Sequence, residues 1–62
     1  MERNYLVNGI VVVVSNDDTN AYYVAVLPHG QLTLRLRADV ALANRIALVN
    51  RFNESLRQME HN

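Results

Sequence analysis

The apolar positions of this chain change period once. Up to Arg37 they fall in short runs separated by turn formers, and after Asp39 they recur at helical spacing. Ile10-Val11-Val12-Val13-Val14 is the clearest of the runs. Five consecutive β-branched side chains lose χ1 freedom in a helix and suit a pleated sheet. The run stops at Ser15-Asn16-Asp17-Asp18-Thr19-Asn20, a cluster of turn formers. Ala21 to Leu27 reads as the next strand. Pro28-His29-Gly30 then reverses the chain, proline presetting φ and glycine closing the turn. Leu32 to Arg37 alternates with period two, leucines on one side and Thr33, Arg35 and Arg37 on the other.

Asn8-Gly9 allows two readings. Asn-Gly between apolar runs is a strong hairpin signal, which would make Asn4 to Val7 a first short strand. The other reading is one long strand from Tyr5, kinked or bulged at Gly9. With either, short turns make neighbouring strands antiparallel. Beyond Asp39, a plausible N-cap, Leu42, Ile46, Val49, Phe52, Leu56 and Met59 form the seam of an amphipathic helix running to about residue 60. The predicted fold is α+β: an antiparallel β-meander of three or four strands, then one long C-terminal helix packed on one sheet face. Residues 1–62 are read as a single small domain.

This layout leaves apolar surface uncovered. A helix of about 20 residues is roughly 30 Å long, whereas a seven-residue strand spans about 23 Å. The helix is therefore expected to overhang the sheet, carrying Phe52, Leu56 and Met59 into the overhang. One helix covers one sheet face, yet Ile10 to Val14 and Tyr22 to Leu27 point apolar side chains both ways, unlike strands with one solvated face. Exposed apolar patches of this kind mark interfaces. Val11, Val13, Arg45, Phe52, Leu56 and Met59 are thus the expected contact residues for a second copy or a heterologous protein partner. Arg45 falls inside the apolar stripe, so it must either meet an acid on a partner or lay its head in water over the sheet edge.

Composition narrows the chemistry. Half of the residues are apolar and the formal net charge is zero, which is globular composition. A chain this short has a marginal core, and small domains usually add a disulfide, a metal or a second subunit. The sequence contains no cysteine, and its two histidines, His29 and His61, are too few for a convincing zinc site. Self-association is the option left. No signal-peptide pattern and no run of about 20 apolar residues is found, so the expectation is a cytoplasmic protein without membrane attachment.

Catalytic chemistry has no obvious seat. Ser15 and Ser55 lie in a turn and on a polar helix face, and His29 sits between turn residues, so no nucleophile has a matched base. Asn16, Asp17, Asp18 and Asn20 cluster oxygens, but turn formation explains them better than calcium binding. No glycine-rich phosphate loop is present. The sequence therefore predicts no enzyme and no cofactor. It predicts a small protein-binding or regulatory protein, such as an inhibitor, adaptor or accessory subunit, acting as a homodimer. The alternative is a nucleic-acid module using Tyr22, Tyr23, Arg35 and Arg37 on an outer sheet face. Zero net charge argues against it, since phosphate neutralisation dominates such affinity.

Overall fold

The structure is a computed structural model that describes residues 2–59. It contains four strands, β1 (Arg3–Val7), β2 (Ile10–Asn16), β3 (Asn20–Leu27) and β4 (Gly30–Arg37), and one helix, α1 (Leu42–Arg57). The strands form one sheet in sequence order, each antiparallel to the next. The fold is the expected α+β meander with a C-terminal helix, with four strands.

Asn8-Gly9 makes a hairpin. Both residues take positive φ, 58° and 80°, as a two-residue turn matched to the strand twist requires, and Val7 pairs with Ile10 across it. The β2–β3 turn closes when the Asp17 N–H donates to the Asn20 carbonyl at 2.9 Å. The third turn places Leu27 opposite Gly30, whose φ of 152° lies in a region that other residues rarely adopt. These turns set the parity of the whole sheet. Leu32, Leu34 and Leu36 pair with Ala25, Tyr23 and Ala21, while Ala25 and Tyr23 pair with Val12 and Val14. Side-chain direction alternates along a strand, so Ile10, Val12 and Val14 share the leucine face and Val11 and Val13 take the other.

Helix α1 packs on the leucine face. Val7, Val12, Val14, Ala25, Phe52 and Leu56 form one buried cluster, and Leu36 is buried as well. Tyr23 and Phe52 meet edge to face, ring centroids 6.3 Å apart. Polar bonds fix the helix over β1. The Tyr5 hydroxyl donates to Asn53 Oδ1 at 2.7 Å, and Asn8 Nδ2 donates to the carbonyl of Arg57 at 3.0 Å. The latter bond satisfies a carbonyl that the helix end leaves without an intrahelical partner.

Two expectations about the helix are corrected. Asp39 is not its N-cap. The cap residue is Ala41, with no side-chain cap bond, and Asp39 instead pairs with Arg37 at 3.3 Å on the surface. The physical reason is the turn after β4: Val40 N–H donates to the Arg37 carbonyl, and this reversal must finish before helical geometry begins. Nor does the helix overhang the sheet at its C-terminal end. Its 16 residues span about 24 Å, close to the roughly 27 Å of an eight-residue strand. Phe52 and Leu56 are core residues, and half-buried Met59 packs against them. The uncovered part of the stripe is its beginning: Leu42 is 71% and Ile46 53% exposed.

Candidate functional site

Among the described residues, no element packs on the sheet face turned away from α1. Leu6 of β1 lies opposite Val11 of β2, and Val13 lies opposite Val24 of β3, with Val26 two residues further along. Leu6 is 68%, Val26 54% and Val11 39% exposed, while Val13 and Val24 are half-buried by their neighbours. The rest of this face is polar. Gln31, Thr33, Arg35 and Arg37 line it along β4, and Ser15 and Tyr22 lie at the end near Asp17. An apolar patch with a polar border is the arrangement of a protein interface.

The predicted interface residues thus separate. Val11 and Val13 stand on the uncovered face, but Phe52 and Leu56 are buried within the chain and Met59 is packed beside them. Arg45 reaches the end of the edge strand β4, close to the second of its expected settings, but its head bonds the backbone. Its Nε donates to the Val40 carbonyl at 3.0 Å and its Nη2 to the Arg37 carbonyl at 2.7 Å. The guanidinium therefore clamps the β4–α1 connection, using its fixed fork on backbone oxygens. Sequence reasoning missed Leu6, Val24, Val26, Leu42 and Ile46 as uncovered residues. The strand pattern and the helical period placed them on apolar faces, but which part lacked a cover depended on where the helix docks.

The tyrosine–arginine group is split by strand parity. Tyr22 lies directly opposite Arg35 on the outer face, and Arg37 shares that face. Tyr23 points the other way and meets Phe52 edge to face. Acidic groups also stand near the remaining residues: the Tyr22 hydroxyl donates to Asp17 Oδ2 at 3.3 Å, and Arg37 pairs with Asp39. The potential presented to a phosphate is correspondingly mixed.

Asp17 is engaged in the β2–β3 turn itself. Asp17 Oδ1 accepts from the backbone N–H of Thr19 at 2.9 Å, the backbone N–H of Asn20 at 2.7 Å and the Thr19 hydroxyl at 3.1 Å. The two backbone N–H groups favour the charged form and hold the Asp17 carboxyl below its ordinary value. Among the described residues, no three acidic, histidine or cysteine side chains gather as a metal site. An open cleft of about 980 Å³ lies between the Asn8-Gly9 and Pro28-His29 turns, bounded by Ile10, Val26, Leu27 and Met59. Among the described residues, His29 is the titratable side chain on its wall, without an acid or nucleophile beside it there. His61 lies outside the described residues. No helix among the described residues is long and apolar enough to cross a membrane.

No family model, no curated protein and no solved structure matches the chain.

Proposed function

We propose that this chain is a small cytoplasmic binding or regulatory protein, without catalytic activity, that works as a homodimer and holds a partner protein through the outer sheet face. The observation that carries this reading is the continuous patch of Leu6, Val11, Val13, Val24 and Val26, bordered by polar β4 side chains. A core of seven buried side chains among the described residues supports the dimeric part, because small domains without a disulfide often draw stability from association. Among the described residues, the outer sheet face carries no paired nucleophile and base, which favours binding over catalysis.

The test is molar mass in solution by light scattering, across dilution and across salt. A mass near twice the monomer that persists at high salt is expected, because apolar burial is not screened. A well-folded monomer at all concentrations would refute the homodimer. The Tyr22–Arg35 pair gives the nucleic-acid alternative one specific observation. Single-stranded DNA binding that weakens steeply with salt would favour that alternative.

A further inference from the structure

We propose that two copies of this chain join edge to edge through β4, each copy covering with Leu42 and Ile46 the half-buried Leu32 and Leu34 of the other. This inference rests on the homodimeric reading above and specifies its interface.

The sheet has two edges, and they are not equivalent. β4 has eight residues, no proline, and unbroken pairing to β3 from Gly30 to Arg37. The Ala38 N–H donates to the Thr19 carbonyl at 2.8 Å, so residue 38 is turned toward β3. Backbone groups alternate in direction along an antiparallel strand. Leu32, Leu34 and Leu36 therefore bond to β3, and Gln31, Thr33 and Arg35 turn their N–H and C=O groups outward. Arg37 also faces outward, but its carbonyl already accepts from Val40 and Arg45. β1 has five residues, and the same alternation, counted from the Val7–Ile10 pair, leaves only Asn4 and Leu6 facing outward.

The open run of β4 is complementary to itself. With Thr33 opposite Thr33 in an antiparallel pair, Gln31 meets Arg35 twice, and all three outward residues of each copy exchange backbone bonds. Leu32 then stands opposite Leu34 of the second copy on the helix side. No like charges face each other. Sliding the pair by two residues toward the C-terminal end would bring Arg35 against Arg35, which is destabilising.

The helix completes the fit. It leaves the sheet beside Arg37, where Arg45 clamps it, and ends over the Asn8-Gly9 turn. It thus crosses from the end of β4 toward β1. The first half of β4 is left thinly covered, and Leu32 and Leu34 are only partly buried. An axis perpendicular to the sheet sets the Arg37 end of one β4 beside the Gly30 end of the other and keeps both helices on the same face. The exposed helix start of each copy, Leu42 and Ile46, then stands over the open leucines of its neighbour. The result is an eight-stranded sheet whose two outer patches lie side by side for a partner.

The interface is tested by light scattering on three variants, with circular dichroism as the check on folding. Thr33→Pro removes an outward N–H without removing a bond to β3. Ile46→Glu charges a helix position that the monomer leaves exposed. Leu6→Ser/Val26→Ser alters the outer face. The dimer dissociation constant should rise at least about 100-fold in each of the first two, an expected loss of about 2.7 kcal/mol, and stay unchanged in the third. Should Thr33→Pro not fold, Ile46→Glu decides alone. A dimer that survives Ile46→Glu but is lost in Leu6→Ser/Val26→Ser would overturn the β4 interface while leaving the homodimer standing. A wild-type protein that stays monomeric would overturn both.

Discussion

The two halves of α1 carry one apolar stripe but have opposite fates. In the C-terminal half, Phe52 and Leu56 are buried, Asn53 receives the Tyr5 hydroxyl, and Asn8 reaches the last carbonyls. In the N-terminal half, Leu42 and Ile46 are exposed, and the anchor is a polar one, the Arg45 guanidinium on the carbonyls of Arg37 and Val40. Periodicity identifies which residues share a helix face. It does not say how much of that face meets a sheet, because that depends on the angle at which the helix crosses the strands. Here one end of the helix crosses over the β1–β2 hairpin and the other stands near the edge strand.

The largest contrast should come from truncating one side chain in each half. Leu56→Ala should cost about 2–5 kcal/mol, since it removes buried methyl groups and leaves a cavity. That is comparable to the whole stability expected of so small a chain. Ile46→Ala should change the stability of dilute protein by no more than about 0.5 kcal/mol. Urea titrations of the two variants measure this, and equal losses would show that the halves are packed alike.

Arg45→Leu comes next. It keeps the apolar stem but removes the two guanidinium bonds to backbone carbonyls, and should lower stability by about 1–2 kcal/mol. Arg45→Lys should restore only part, because an ammonium lacks the fork. A fully stable Arg45→Leu protein would show that the connection holds without its clamp.

Tyr5→Phe probes the anchor of the other half and should cost about 1 kcal/mol. Burial holds the Tyr5 phenol above its ordinary value of 10.0. In that range the folded state keeps a proton that the unfolded state releases, so the Tyr5 contribution is present below pH 10 and is lost as pH rises beyond it. The alkaline fall in stability should be shallower in Tyr5→Phe, as read from denaturation midpoints against pH. The smallest effect belongs to Asp17, whose carboxylate bonds within its own surface turn. Its carboxyl is held below 3.8, so its contribution is present above that pH and is lost as pH falls through the lowered value. Asp17→Asn should flatten the acid limb slightly and leave the helix unaffected, as amide exchange in α1 would show.

Much of the fold is legible along the chain. The β-branched run of Ile10 to Val14, the turn formers around Asp17 and Pro28, the alternation of Leu32 to Arg37 and the helical seam from Leu42 to Met59 name the elements and their order. These are local signals, set by side-chain rotamer freedom, turn φ angles and the period of each element. The candidate site was only half legible. Val11 and Val13 could be marked as apolar, but an all-valine strand has no parity of its own, so its faces were assigned by register with Tyr23, Ala25 and the β4 leucines. The place of Tyr23 beneath the helix, the role of Arg45 as a backbone clamp, and the exposure of Leu42 and Ile46 in place of Phe52 and Leu56 came from the same source. Each depends on where α1 lands across the sheet. That position is decided by contacts between residues far apart in the chain, such as Tyr5 with Asn53 and Asn8 with Arg57, which the period of a single element does not encode.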